Sequence, residues 1–305
     1  MRIAILGSGA IGGYYGGRLV QAGQDVHFLY RSELEAVRRG GLRLSSVDGN
    51  WQGAVNAYGD AGEMPPCDVA LLGFKTAQIG ILQDLLPKVL APDGVAICLM
   101  NGLGNEEACA AAVGEDRVLA GAAFICAERG SPGEVLHFAA GALAFAPYFG
   151  SGRDRLAKIA EDLGSRFRSA GVPVRKAHDG RKVKWGKLVW NVPFSGLSIA
   201  LGGVTTDAIV TNPVHRSRAV ALMREVLLAA RSEGVELEER LVEDNLSQTD
   251  GMGAYRPSIL VDFLAGRPTE HEAIVGEPVR RAEAAGIAVP LMGELLEEIR
   301  RRCAT

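Results

Sequence analysis

The hydrophobic rhythm of the chain changes once. Across the first half, short runs that are apolar at nearly every position alternate with stretches of helical period, the pattern left by strands buried on both faces and the helices that cover them. Ile3-Ala-Ile-Leu6, Asp25-Val-His-Phe-Leu-Tyr30, Asp68–Phe74, Gly94–Met100 and Val118–Cys126 predict strands. Tyr14–Gln21, Ala77–Leu90 and Arg153–Ala170 predict helices. Glu134–Phe138 and Ala142–Phe149, separated by Ala139-Ala-Gly141, predict a hairpin appended to a parallel sheet, and Val172-Pro-Val-Arg175 a last short strand. Around His178-Asp179-Gly180 the rhythm changes. Beyond it only amphipathic helices are legible, punctuated by Asn212-Pro213, Gly234, Gly251–Gly253, Gly266 and Gly286. Two domains are expected, residues 1–178 with alternating strands and helices and residues 179–305 all-helical, a division that the length of 305 residues also favours.

The first strand runs into Gly7-Ser8-Gly9-Ala10-Ile11-Gly12, a GxGxxG that follows a strand, opens a helix and sits inside a βαβ unit. In that setting Gly7 permits the tight turn, Gly9 lets the backbone approach a pyrophosphate, and Gly12 lets helix and strand pack closely. The helix amino end then offers free N–H groups and a positive dipole end to the phosphates. Residues 7–12 are the candidate dinucleotide contacts, and the expected fold is α/β: an N-terminal Rossmann-type doubly wound sheet with a C-terminal all-helical domain.

The end of the second strand selects the dinucleotide. An acidic residue about 20 positions beyond the glycines usually grips the ribose 2′-hydroxyl of NAD or FAD. Here the strand ends Tyr30-Arg31-Ser32, with Asp25 too early and Glu33 just after the arginine. A guanidinium suits a 2′-phosphate, so NADPH is the expected cofactor; the competing reading of Arg31 is a surface residue in a turn. Lys75 and Asn101 both follow strand ends, where ligands of open α/β sheets lie. Lys75 suits the cofactor's phosphate or ribose, and Asn101 the nicotinamide or the substrate; turn polarity is the plain alternative for both.

In the helical half, Lys187 and Asn191 are four apart, so both side chains leave one helix face about one turn from each other. That face is otherwise apolar, and an ammonium beside an amide suits a carbonyl oxygen with a neighbouring hydroxyl or carboxylate. Ser195 follows one turn later, past Pro193, which removes a backbone donor and is expected to bend the helix. Tyr255-Arg-Pro257-Ser258 resembles a helix entry. In Thr269-Glu270-His271, Thr269 is a candidate cap and Glu270 a first-turn acid, stabilised by the helix dipole whatever its function. If Lys187 is buried its pKa falls, and a nearby Glu270 would raise it again.

Composition narrows the field. Hydrophobic residues make up 48% and charged residues 23%, as in a globular protein, and a net charge of −3 gives no reason to expect nucleic acid or an anionic membrane. No segment approaches the roughly 20 apolar residues of a membrane span, and the amino terminus does not read as a signal peptide. Five cysteines without CxxC spacing read as reduced thiols in a cytoplasmic protein, and the five histidines lack metal-ligand spacing, so no metal is expected.

Over essentially its full length the chain resembles the ketopantoate reductase (2-dehydropantoate 2-reductase) family. The resemblance is carried in order by Gly7-Ser-Gly9-Ala-Ile-Gly12, Phe74-Lys75, Asn101-Gly-Leu-Gly104, Trp185-Gly-Lys187-Leu with Asn191, Pro257-Ser258 with Asp262, Thr269-Glu270 followed by Gly276, and Ala285-Gly-Ile-Ala-Val-Pro290. It implies NADPH-dependent reduction of a 2-keto acid, ketopantoate to pantoate, on the route to pantothenate and coenzyme A. Lys187 then corresponds to the residue that binds the keto oxygen and supplies the proton, and Glu270 to a second catalytic residue. Asn101 and Asn191 correspond to substrate- and nicotinamide-side hydrogen bonders, Ser258 to a holder of the substrate carboxylate, and Arg31 and Lys75 to ligands of the cofactor phosphate. Ser195 departs from the family's usual second asparagine and places a shorter side chain in the substrate pocket. Two alternatives stand beside this reading: reduction of another 2-keto acid, and an NADPH-binding or sensing protein that has lost catalysis. A homodimer through the helical half is a further implication of the resemblance.

Overall fold

The computed structural model describes residues 1–304. It divides into two compact units, one of residues 1–100 and 105–183, the other of residues 101–104 and 184 onward.

The first unit is built on ten strands: β1 (Arg2–Leu6), β2 (Asp25–Leu29), β3 (Leu42–Ser46), β4 (Trp51–Gly53), β5 (Asn56–Tyr58), β6 (Cys67–Leu72), β7 (Leu90–Cys98), β8 (Val118–Arg129), β9 (Glu134–Pro147) and β10 (Val174–Arg175). Their order is β4-β3-β9-β8-β7-β6-β1-β2-β5, with β10 beside β9. Five helices belong with them: α1 (Ala10–Gln21), α2 (Leu34–Gly40), α3 (Leu82–Val89), α4 (Asn105–Val113) and α5 (Arg153–Ser169). β1 pairs in parallel with β2 on one side and β6 on the other. The strand order therefore reverses at β1, which makes its carboxyl end the switch point where ligands of such sheets bind. Ile3, Ala4, Ile5 and Leu6 are fully buried, as a central parallel strand requires. α1 lies close against the sheet: a Cβ on Gly16 would stand 2.6 Å from the Phe28 ring and 2.8 Å from Ile5, so only glycine fits there.

The structure corrects two expectations and adds three short strands. Residues 134–147 form one strand instead of a hairpin, and the hairpin is β8 with β9, paired antiparallel. The register shifts between Phe124 and Ile125, where Ala142 and Ala140 are the partners, so Gly141 is an extra residue absorbed as a bulge. Its φ of +122° explains the glycine that reads as a turn in sequence. The helix expected over 77–90 begins as a 3₁₀ segment, Thr76–Ile81, continues as α3 and passes directly into β7. Gly80 inside the 3₁₀ segment weakens α-helical continuation there. Finally, β3, β4 and β5, with only three to five residues each, are too short to show a period.

The second unit is helical: α6 (Gly180–Ala200, from Lys184 onward), α7 (Thr206–Thr211), α8 (Pro213–Ala230), α9 (Arg240–Asp250), α10 (Ser258–Leu264), α11 (Glu277–Ala284) and α12 (Pro290–Cys303). α6 supplies Trp185, Leu188, Val189, Val192, Phe194, Leu197 and Ile199 to one apolar core shared with α8, α11 and α12. Those residues cover most of its circumference, so a polar side chain on α6 is surrounded by protein. The helix runs on through Pro193 as one element. Trp185 Nε1 donates to Glu233 Oε2 at 2.8 Å, which anchors its early turns. α12 is held at its amino end by Glu225, which accepts the N–H groups of Leu291 (3.0 Å) and Met292 (2.7 Å).

Candidate functional site

In the first unit the glycine turn has no room for side chains. A Cβ on Gly7, at φ +93°, would stand 2.4 Å from the Phe74 nitrogen, and one on Gly12 would stand 2.4 Å from the Gly7 carbonyl oxygen. Gly9 caps α1 without a side chain, which leaves the first-turn N–H groups to an anionic ligand. This cradle fits a dinucleotide pyrophosphate. The Ser8 hydroxyl donates to the Leu29 carbonyl at 2.8 Å, tying the turn to the end of β2, two residues before Arg31. The contact of Gly7 with Gly73 and Phe74 does the same for the segment that leads into Lys75. Arg31 and Lys75 are both exposed, so the fold brings two cation-bearing strand ends to the glycine turn.

In the helical unit, Lys187 Nζ donates to Asn101 Oδ1 at 2.8 Å. Asn101 thus packs with the helices, although the sequence places it at a strand end. Its turn is fixed by the Leu103 N–H, which donates to the Ala273 carbonyl at 3.0 Å, and by Gly102, at φ +79°, whose missing Cβ would stand 2.4 Å from the carbonyl carbon of Ala273. Ala273 lies in a π-helical turn, Glu272–Gly276, a feature concentrated at functional sites. Glu270 lies just before that turn. Its carbonyl accepts the Ile274 N–H at 3.0 Å, and the residue is 7% exposed. The cap expected from Thr269 does not form, because its hydroxyl is engaged with His271 Nδ1 at 2.7 Å and lies 3.6 Å from Cys303 Sγ.

The surroundings retune Lys187. Burial lowers its pKa to about 7, the positive charge of Lys184 lowers it as well, and the charge of Glu270 acts to raise it. The residue keeps some solvent contact, but its ammonium is enclosed by protein and held by Asn101. Burial therefore wins over Glu270 in the competition that sequence alone leaves open. Lys184, itself 3% exposed and three residues before Lys187, has no functional assignment from sequence; the i, i+3 spacing on one helix face was the available signal.

Asn191 and Ser195, 6% and 4% exposed, continue the polar line along α6. Ser258 opens α10 and is exposed; among the described residues it makes no hydrogen bond to Lys187, Asn101, Asn191 or Glu270. The structure thus joins Lys187, Asn101 and Glu270 in one electrostatic group. Among the described residues no cluster of His, Cys, Asp and Glu could hold a metal ion, and no helix is long and apolar enough to cross a membrane.

Two family models match the chain: ketopantoate reductase PanE/ApbA over residues 3–150, and ketopantoate reductase PanE/ApbA C terminal over residues 179–302. A 2-dehydropantoate 2-reductase of Nostoc sp. is 36% identical, the match covering 98% of this chain and 94% of that protein. Among solved structures, a 2-dehydropantoate 2-reductase from Geobacter metallireducens superposes with a TM-score of 0.93 at 37% identity over 100% of both chains. Another, from Methylococcus capsulatus, gives a TM-score of 0.89 at 32% identity over 99% of this chain and 96% of that one.

Proposed function

The chain belongs to the ketopantoate reductase family and is an oxidoreductase, and from this premise we propose that it reduces ketopantoate to pantoate with NADPH, using Lys187 to bind the keto oxygen and deliver the proton. The observation that carries this reading is the Lys187–Asn101 hydrogen bond within reach of the charge of Glu270. Bound NADPH supplies a hydride to the keto carbon. As charge builds on the oxygen, the Lys187 ammonium stabilises it, an effect worth roughly 3–4 kcal/mol for a preorganised donor. A pKa near 7 then makes Lys187 an effective acid at neutral pH. Asn101 orients the ammonium, and Glu270 keeps a share of it protonated. Asn191, Ser195 and Ser258 are assigned to the substrate's hydroxyl and carboxylate. The glycine turn holds the pyrophosphate, with Arg31 and Lys75 on the phosphates and Asn101 on the nicotinamide side. We assign cofactor binding to residues 1–178 and the chemistry to residues 179–305 together with Asn101.

The direct test is NADPH oxidation, followed by absorbance, when ketopantoate is added to purified protein, with NADH in parallel. Rapid turnover with NADPH and little with NADH is expected. Absence of turnover despite NADPH binding would transfer the reading to another 2-keto acid. That second reading rests on Ser195, which is buried and shorter than the family's usual asparagine. We further assign the enzyme to the cytoplasm, where its five unbridged cysteines suit a reducing compartment. As the family resemblance implies, it is taken to be a homodimer; light scattering should then give about twice the 32.2 kDa chain mass.

A further inference from the structure

Glu33 occupies a position that ought to oppose NADPH. It lies 21 residues beyond Gly12, four past the end of β2 and at the amino end of α2, close to where an acid normally binds the ribose 2′-hydroxyl and would repel a 2′-phosphate. Its carboxylate is turned to another purpose. One oxygen forms an ion pair with the Arg129 guanidinium, and the other accepts the Gly133 N–H at 3.0 Å. The Glu33 side chain is 13% exposed, so these partners also draw it out of solvent. Arg129 is the last residue of β8, and a Cβ built on Gly9 would stand 3.8 Å from its Cδ. The arginine stem therefore lies beside the glycine turn, with its head on Glu33. Arg129 is itself 53% exposed, and an ion pair so open to water contributes little to stability. Its effect is local: the two charges cancel at the adenosine end of the turn, while Arg31 stays exposed and, among the described residues, forms no ion pair.

We propose that Arg129 determines cofactor specificity by sequestering Glu33, so that the end of β2 presents Arg31 alone to the 2′-phosphate of NADPH. This rests on the reading that the glycine turn binds a nicotinamide dinucleotide. The pairing leaves no mark in the sequence, since 96 residues separate the partners and nothing local to Arg129 signals it.

The test is equilibrium binding of NADPH and NADH to the full-length protein, followed by nucleotide fluorescence without substrate. Wild type should bind NADPH more tightly. Arg129→Ala should weaken NADPH about tenfold or more and NADH less than about threefold, because only the 2′-phosphate meets the released carboxylate. Adding Glu33→Gln to Arg129→Ala should restore NADPH to within about threefold of wild type. Arg129→Lys, which keeps the charge, should retain most of the preference, and Glu33→Gln alone should bind NADPH at least as well as wild type; both remain informative if the alanine variant folds poorly. Equal weakening of both coenzymes, or no rescue by Glu33→Gln, would overturn the proposal and make Arg129 a plain pyrophosphate ligand. Wild type that binds neither coenzyme would overturn the cofactor reading and this proposal together, whereas an unchanged preference in Arg129→Ala overturns the proposal alone.

Discussion

A lysine that must stabilise and then protonate a developing alkoxide works best with a pKa near the operating pH, and Lys187 is brought there by burial and by the charge of Lys184, against the pull of Glu270. The sign of the pH dependence follows. In the proposed role of Lys187 reduction needs the ammonium, so turnover should be highest below about pH 7 and fall as pH rises through it, approaching tenfold per unit. Removing each neighbouring charge should move that inflection in opposite directions. Glu270→Gln loses the influence that raises the pKa, so its inflection should lie lower; Lys184→Met loses one that lowers it, so its inflection should lie higher. Lys187→Ala should lose most turnover, by at least about a hundredfold, while still binding NADPH. A pH–rate series over the four proteins checks all of this. Near-normal turnover in Lys187→Ala would sink the central assignment.

At the scale of elements, each unit carries one turn that depends on missing Cβ atoms. A methyl group on Gly102 would stand 2.4 Å from the carbonyl carbon of Ala273, at a backbone φ of +79° that already disfavours L side chains. Gly102→Ala should therefore dislodge the Asn101 turn and reproduce the turnover loss of Asn101→Ala, at least about tenfold, although Gly102 has no side chain to offer substrate. Steady-state kinetics of the two variants side by side test this. Normal turnover in Gly102→Ala would mean that the turn does not position Asn101. The same comparison shows what sequence could reveal. The Gly7–Gly12 turn is legible because its strand, glycines and helix are contiguous, and Lys187, Asn191 and Ser195 because helical spacing aligns them. The Lys187–Asn101 hydrogen bond and the packing of Gly102 on Ala273 are not legible, since they join segments 86 and 171 residues apart and leave no local pattern. The Gly141 bulge looks like a turn in sequence for a related reason: positive φ serves both, and only the partner strand distinguishes them.

For the molecule as a whole, a lysine poised for chemistry is a liability to folding. In the unfolded chain Lys187 should titrate near 10.4, whereas in the folded protein it titrates near 7. Between these values the unfolded state binds more protons, so stability should rise with pH across the window from about 7 to 10.4. Below pH 7 the lysine is charged in both states, and folding bears the full penalty of burying it; above 10.4 the penalty has gone. Some solvent contact at Lys187 moderates the size, leaving about 2–4 kcal/mol. The informative quantity is the difference between wild type and Lys187→Met, which keeps the stem and removes the charge. Urea unfolding at pH 6.5 and pH 9.5 should find the variant more stable than wild type at the lower pH, with the gap closing at the higher. A gap that stays constant with pH would show that the ammonium is not strained by its surroundings, and Lys187 would then need another source for its reactivity at neutral pH.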